Sequence, residues 1–595
     1  MNSMPTGAIS RMISGEHHEP TRQLPLNTSH SASPMSRVYY RRHISYQLPP
    51  YSNRFRHDVD GHDTCHLFQS SAFYKQPRRA QSASGEVGCE KNIPSPTNSS
   101  AVRAFTQSPP WSFHMSPPRE TLFVAVVALA HFMTQCSLGQ TLVPLEVIGQ
   151  TLKANAEQSI WFVAGYSLTV GTFILISGRA GDILGHKRVF CFGWAWFGLW
   201  STLVGFSGLP SVRSQIFFDI CRALQGIGPA IIMPTGLSLF GLAYPPGIKK
   251  NIMFSVFGAL APAGFVCGAV FGSLFASVGR WNWAFWSFAL ICWALGALAM
   301  VVIPSELSLP NSMGLTFDWA GSFLGVTGLI TFNVAWNCAP MYGWGSTRVI
   351  VLLVLGILVL GTFFWVEKST KNPILPIQAL DSTAVLVLGC VGLGWGSFGI
   401  WVFYTFRFLQ NPHIRNYTLL QSAAAFAPAP ISGLLAAGLT GFLLTHTPVS
   451  FTMMLSMFAF FIGIVIAATQ PAHHQSYWAQ IFISVLIMPF GMDMSFPAAS
   501  VILSNRMPPE HQGIAMSLVN TCLNYFISIS LGIAGTIEVH VAKDLKTHPT
   551  DPYVLMKDYR ATYHTAIALS SLGLTLGISF FIRDFLREGW KPMKH

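Results

Sequence analysis

The sequence predicts an all-α polytopic membrane protein, and three observations carry that reading. Charged residues make up 10% of the 595-residue chain and apolar ones 51%, with a mean hydropathy of +0.43; a soluble chain carries about a quarter charged residues. The apolar residues fall in runs of about 20, the length a helix needs to cross a hydrocarbon core of roughly 30 Å. The scarce charges gather between those runs, most densely in Gly178-Arg-Ala-Gly-Asp182-Ile-Leu-Gly185-His186-Lys187-Arg188.

Residues 1–118 are a different material, rich in Ser, Pro, His and Arg with little apolar periodicity. Such a segment cannot bury enough surface to offset its ordering entropy, so it reads as a disordered cytosolic tail. No compact apolar stretch with a cleavage site marks it as a signal peptide. Met115, just ahead of the first span, is an alternative start.

Fourteen apolar runs follow, at 121–140, 159–178, 189–208, 214–242, 252–277, 282–303, 318–339, 349–366, 383–405, 418–444, 449–468, 478–499, 514–537 and 562–583. An even count puts both termini on one side. Lys and Arg are modestly more numerous in the loops that then face inward, which places both termini in the cytosol. Asn416-Tyr-Thr418, after the ninth span, is an N-glycosylation acceptor sequence. A plasma-membrane location is expected, with the vacuolar membrane as the alternative.

The formal net charge of +12 comes largely from the N-terminal tail and short loops. No basic helix or stacking platform accompanies it, so no nucleic-acid partner is expected; the partners expected are the lipid bilayer, a small-molecule substrate and protons. The ten cysteines are scattered without a C-x-x-C pair. They read as small apolar residues, not metal ligands, and no cofactor is expected. Phosphate-cradling G-x-x-x-x-G-K-[ST] and potassium-filter sequences are both missing, which disfavours a self-powered pump and a potassium-type channel. The loops show no paired carboxylates, metal spacing or nucleophile elbow, so an enzyme is not expected.

Four groups inside the spans carry potential chemistry, because a polar residue in hydrocarbon is costly and faces a cavity or a partner. In the fourth span Arg222 lies one turn from Asp219, so the two form either a structural ion pair or part of a proton site; Gln225, Gly226 and Gly228 follow. In the twelfth, Asp493 lies toward the inner part. Desolvation favours the neutral form of a carboxylic acid, which suits reversible protonation; its alternative role is capping backbone freed by Pro497. In the thirteenth, Ser517, Asn520, Thr521, Asn524 and Ser528 share one face, as a polar pathway or as interhelical glue. In the first, His131 and Gln135 share a face, and a lone histidine on an apolar helix is more often a packing residue. The fifth span adds Gly258, Pro262, Gly264, Gly268 and Gly272, a smooth ridge with a proline that removes a backbone bond.

With these residues in view, positions 120–585 resemble the major facilitator superfamily, specifically its fourteen-span drug:proton antiporter branch. Gly178, Asp182, Gly185 and Lys187 match its loop motif between spans two and three, with Arg188 beside them. Arg222, Gln225, Gly226 and Gly228 match its fourth-span motif, and Asp318-Trp-Ala-Gly321 fits the start of the seventh. Tyr166-Ser-Leu-Thr-Val, Gly185-His-Lys-Arg188, Tyr244-Pro-Pro-Gly-Ile-Lys-Lys-Asn251 and Gly491-Met-Asp-Met-Ser-Phe-Pro-Ala498 look like fungal aminotriazole-resistance and low-affinity ammonium transporter-like proteins.

The resemblance implies a first six-helix bundle over 119–305, two inserted helices with their linker over 306–372, a second bundle over 373–584 and a cytosolic C-tail over 585–595. It implies alternating access by rocking of the bundles, with Asp182 and Lys187 at a cytosolic gate. Asp493, Arg222 and Asp219 then become proton-coupling candidates. His131, Gln135, Gln225, Asn520 and Asn524 become cavity candidates, and Gly226, Gly228, Pro262, Gly264 and Gly268 packing positions.

Three departures stand out. Gln135 occupies the position of the usual first-span acid. Ala261-Pro262 and isolated glycines replace the fifth-span Gly-Pro and Gly-Gly. The loop between spans ten and eleven, near Gly438–Gly441, carries no charge. The function expected is proton-coupled efflux of a small toxic compound or fungal secondary metabolite, by a monomer. The alternatives are a low-affinity ammonium or small-cation facilitator, and a transporter-like sensor signalling through the N-terminal tail.

Overall fold

The computed structural model describes residues 115–244, 248–305, 317–370, 373–375, 377, 380–471, 476–506, 512–541 and 551–590. The expected N-terminal tail up to residue 114 and the last five residues of the C-tail lie outside them. Among the described residues the secondary structure is helical throughout, with no strand.

Seventeen helices run in order: α1 Pro117–Leu142, α2 Leu145–Leu152, α3 Ala156–Ser159, α4 Trp161–Leu184, α5 His186–Phe206, α6 Gln215–Ala243, α7 Ile248–Ser277, α8 Asn282–Val302, α9 Trp319–Tyr342, α10 Thr347–Ser369, α11 Ser382–Gln410, α12 Leu419–Ala424, α13 Ala429–His446, α14 Val449–Ala468, α15 Ile481–Arg506, α16 Gln512–Val541 and α17 Pro552–Glu588. Each expected span corresponds to one long helix, except the tenth. That one is broken into α12 and α13 around Ala427-Pro428-Ala429-Pro430, where two prolines withhold backbone donors. Thirteen of the described stretches are long and apolar enough to cross a membrane. The chain is an all-α, multi-pass membrane protein.

Helix α9 falls outside those thirteen, and its packing explains why. At 24 residues it is about 36 Å long, enough to span. It carries Asn333 and Asn337, both fully buried. Ser528 Oγ of α16 lies 2.8 Å from Asn333 Oδ1 and 3.1 Å from the Ala164 carbonyl of α4. Asn337 Nδ2 donates to the Ser528 carbonyl at 3.2 Å, and the Tyr525 hydroxyl to the Leu329 carbonyl at 2.9 Å. Helix α9 is polar because it faces protein rather than lipid, whereas α10 outside it exposes Val351, Leu358 and Trp365.

The long helices sort into two six-span bundles by packing. Helices α1 and α4–α8 contact one another, as do α11–α17, and the α9–α10 pair lies against α4 and α16. The bundles meet along two seams, α4 with α16 and α7 with α12 and α13. Up-and-down alternation brings the start of α1, the α4–α5 turn and the end of α13 to one face, called the near face below.

Within the first bundle, α1 and α7 pack most closely, and the cause is legible in α7. Side chains at Gly264, Gly268 and Gly272 would collide with the carbonyls of Phe132, Cys136 and Gln140. The three glycines recur every four residues and meet three carbonyls at the same spacing, so two backbones share a smooth ridge. Gly258, six residues before Gly264 on α7, faces open space. Gly268→Val is therefore expected to lower the stability of the purified protein by about 1–3 kcal/mol through overpacking. Gly258→Ala should be neutral or slightly stabilising; thermal unfolding of the two variants checks the contrast.

Candidate functional site: a cavity between the bundles

A cavity of about 520 Å³ lies between the bundles, within the range of small-molecule sites. It is lined by α1, α4, α6 and α7 from one side and by α11, α13, α15 and α16 from the other. Its walls reach Lys250, Thr445, Ser500 and Met516 toward the near face. On the far half the bundles touch instead. Gln410 Nε2 donates to the Val143 carbonyl at 2.9 Å, and Ser273 Oγ to the Leu419 carbonyl at 3.2 Å. The Phe265 ring packs 6.1 Å from Phe406 and 6.3 Å from Phe426. The cavity therefore extends to the near side and is closed on the far side.

At its deep end a recess of about 60 Å³ is walled by Trp395, Phe398, Pro262 and Met492, with two polar side chains, Gln135 and Asp493. These two face it from opposite bundles. Asp493 sits at the midpoint of α15, deeper than the inner placement expected from sequence. Pro497, four residues on, cannot donate to the Asp493 carbonyl. Thr440 Oγ1 of α13 lies 3.3 Å from that carbonyl and 2.7 Å from the Ala436 carbonyl of its own helix, so its one proton is shared between them. The carboxylate is thus not spent on the freed backbone, and its Oδ2 is buried without a hydrogen-bond partner beside Gly433 and Pro262. Among the described residues it is the one acidic side chain on the cavity wall.

Four of the five cavity candidates line this space. His131 does so while its Nδ1 lies 3.0 Å from the Phe257 carbonyl and its ring stacks on Phe257. Gln135 faces both the cavity and the recess. Asn520 and Asn524 line the wall, each with its amide donating to the carbonyl four residues back at 3.0 Å. The rest of the polar face of α16 is split: Ser517 packs at Gly178 and Ser528 joins the α9 cluster.

Gln225 is the exception, and Arg222 explains it. Both are fully buried inside the first bundle. Arg222 donates to the Phe162 carbonyl at 3.1 Å, to Ser137 Oγ at 3.0 Å and to Gln225 Oε1, and its guanidinium lies 4.5 Å over the Tyr166 ring. Gln225 Nε2 donates to Ser201 Oγ at 2.6 Å. The amide is used up by the buried charge and does not reach the cavity. Tyr166 does reach it, with its hydroxyl on the Thr134 carbonyl at 2.9 Å, so Arg222 lies one ring behind the wall. The expected pairing of Asp219 with Arg222 does not form: Asp219 Oδ2 accepts from Gln215 at 3.1 Å. Gly226 and Gly228 give the room that α4 and α5 need, against Tyr166 and Phe197 respectively.

The charged stretch is a tighter device than the hairpin its composition predicts. Helix α4 continues through Asp182 to Leu184, and the reversal falls on Gly185 alone, at φ 93°, a region open to glycine. Asp182 lies 3.3 Å from His186, Lys187 Nζ donates to the Ile303 carbonyl beyond α8 at 2.6 Å, and Arg188 is exposed. In the second bundle the matching turn is at Thr447-Pro448. Gly438–Gly441 lies inside α13 and not in a loop. Asn416 is exposed in the far-face turn between α11 and α12, at φ 52°. Lys250, Trp395 and Phe398 also line the cavity. Sequence alone does not separate such aromatic residues from packing ones, since both occur at helical spacing.

The profile of the Major Facilitator Superfamily matches residues 127–532. The chain belongs to this superfamily. It is 47% identical over 476 residues to a "Low affinity ammonium transporter" of Saccharomyces cerevisiae, covering 79% of this chain and 90% of the relative. It is 38% identical to "Efflux pump terJ" of Aspergillus terreus, covering 80% and 90%, and 35% identical to the "Aminotriazole resistance protein" of Saccharomyces cerevisiae, covering 79% and 85%. Among solved structures it is similar to a peptide transporter POT in complex with sulfate, with TM-score 0.56 and 14% identity, covering 80% of this chain and 96% of that one. That likeness speaks for the fold alone.

The Arg222 cluster makes a prediction that separates its partners. Gln225→Leu removes an acceptor from a buried cation and is expected to destabilise the purified protein by about 2–5 kcal/mol. Asp219→Asn is expected to cost well under half as much. Equal losses in thermal unfolding of the two variants would show that Asp219 shares the charge after all.

Proposed function

We propose that this chain exports a small toxic compound or fungal secondary metabolite from the cytosol in exchange for protons, by alternating access across the plasma membrane. One observation carries the coupling: the lone acid on the cavity wall, Asp493, presents a buried and unpartnered carboxylate oxygen opposite Gln135. A buried carboxylate without a counter-charge favours its protonated form, and the release of that proton when the site meets the other solution supplies the drive. The near face is read as cytosolic, from the modest Lys and Arg bias and the basic N-terminal tail. In that reading the cavity has its access on the cytosolic side, with Gln135, Asn520 and Asn524 contacting cargo. Asp182, His186 and Lys187 brace the first bundle at the cytosolic gate. The two bundles act as monomeric rocking units, with α9 and α10 inserted between them. Relatives named as efflux pumps support export.

A second reading is favoured by Gln135, which leaves the first bundle without an acid on the cavity wall, and by the name of the 47% identical relative. In it the chain is a low-affinity ammonium or small-cation facilitator. A resistance and uptake panel in cells stripped of their own exporters, covering ammonium, small azoles, borate and host metabolites, identifies cargo. With that cargo in proteoliposomes, wild-type flux should follow an imposed pH gradient and collapse with an uncoupler. Asp493→Asn should lose at least about tenfold of the gradient-driven flux, the scale of one favourable proton-linked step of about 1.4 kcal/mol, while Asp493→Glu retains part of it. Flux indifferent to the uncoupler at zero membrane potential would favour the facilitator.

A further inference from the structure

A second pair of acids lies away from the cavity, where α9 begins and α10 ends at the near face. Asp318 caps α9, its Oδ1 accepting from the Gly321 amide at 2.8 Å. Glu367 stands in the last turns of α10, only 2% exposed, and its Oε2 accepts from the Leu375 amide of the following linker at 3.4 Å. Each acid has one oxygen left over. Asp318 Oδ2 and Glu367 Oε1 are both buried and without a hydrogen-bond partner. The two converge on Gly321. A side chain there would run into the Asp318 carboxylate and stand 2.7 Å from Glu367 Oε1, so this glycine leaves room for both.

No cation balances the pair among the described residues. Helix α9 carries no basic residue, and the basic groups of α10 are Arg348 at its far end and Lys368, which is exposed. From the helices packed on α9, α4 brings Arg179 and Asp182, and Asp182 is held by His186. The charged residue of α16, Glu538, is paired with Arg407 at the opposite end of that helix. None of these basic groups comes within ion-pairing distance of either acid. Two neighbouring carboxylates in an enclosed site do not both ionise, because like charges at short range with little water between them repel strongly. No third His, Cys, Asp or Glu joins the pair among the described residues to form a metal-holding cluster.

We infer that Glu367 holds one exchangeable proton facing Asp318 Oδ2, distinct from any proton at Asp493, and that this proton closes the base of the α9–α10 hairpin. When it is bound, one acid donates to the other, and α9, α10 and the linker through Leu375 are joined. When it leaves, two facing negative charges push the three apart. The proton comes from the near-face solution, since the exposed Lys368 and Ser369 follow Glu367 directly. Because α9 is also bonded to α16 beside α4, the pair makes the hairpin's hold on the seam between bundles responsive to pH on that face.

The sign of the stability effect follows from proton counting. Between the ordinary carboxylate range and the pH at which the pair lets go, the folded chain holds a proton that the unfolded chain has lost, so stability falls as pH rises. The test is hydrogen–deuterium exchange on the purified full-length protein between about pH 5 and pH 9, corrected for intrinsic exchange, read at the start of α9 and at Ile374 and Leu375. Protection there is expected to drop severalfold in the wild type as pH rises. Glu367→Gln, whose amide donates to Asp318 Oδ2, is expected to keep the low-pH protection throughout and to flatten the fall in melting temperature. Asp318→Asn should do the same and serves where the first variant folds poorly. Wild-type protection that does not change with pH, or a glutamine variant that follows the wild-type pH profile, overturns the inference.

Discussion

The first bundle is organised around one charge that has nowhere else to go. Arg222 is fully buried at the junction of α1, α4, α5 and α6, and a cation so placed costs several kcal/mol unless its donors are met. Nε and Nη1 are met by a carbonyl of α4, a hydroxyl of α1 and an amide of its own helix, which is fixed in turn by Ser201 of α5, while Nη2 is buried without a hydrogen-bond partner. Four helices are thereby held at fixed relative positions by directional bonds, where hydrocarbon supplies no hydrophobic drive for helix association. The wall residue Tyr166 stands on this base, clamped between the guanidinium and the Thr134 carbonyl.

The seams between bundles follow a different rule. On α7 and α15 prolines withdraw helical donors where the bundles come together. Thr440 Oγ1 lies 3.3 Å from the carbonyl that Pro497 frees, while Pro262 leaves the Gly258 carbonyl without its helical donor at the cavity wall. Irregular backbone at membrane depth is tolerated where it lines a cavity, and these breaks lie there. The far half is closed by Gln410 on Val143, Ser273 on Leu419 and Phe265 between two rings, and by one apolar cluster that joins Leu142, Val143 and Phe162 of the first bundle to Phe406, Leu409 and Phe426 of the second. Among the described residues the near half, where the cavity lies, has no such continuous core between the bundles.

What the sequence makes legible is set by whether a signal is local. Span positions are legible because length and hydropathy act along one helix, and the α1–α7 contact is legible because Gly264, Gly268 and Gly272 repeat at helical spacing. Asp493 stands out because a charge in an apolar run is rare. The assignment of partners is not local. Asp219 lies one turn from Arg222, yet Gln215 holds it, because Arg222 turns toward α1 and α4. Gln225 and Gln135 are the same residue type in similar runs, and only the packing of α5 and α6 puts one inside the bundle and the other on the cavity. The breadth of α9's polarity is equally silent in sequence, since Asn333 and Asn337 are explained by Ser528, nearly two hundred residues away.

The placement of charge then limits how a transport cycle of this kind is wired. The strongest buried cation belongs to the first bundle and lies behind the wall, where its four-helix cluster makes it part of a rigid body. The acid on the cavity wall belongs to the second bundle, and its neighbours across the seam are Pro262 and the neutral Gln135. No ion pair joins them, so loading or unloading Asp493 neither makes nor breaks a salt bridge between bundles. In the proposed exchange its influence on their relative position acts through desolvation: a charged carboxylate resists a dry, closed recess and a neutral one accepts it. Coupling of that form needs no acid on the first helix. In the proposed exchange Gln135 supplies a polar contact that keeps its hydrogen-bonding character at any pH, and leaves Asp493 as the one acid on the cavity wall among the described residues.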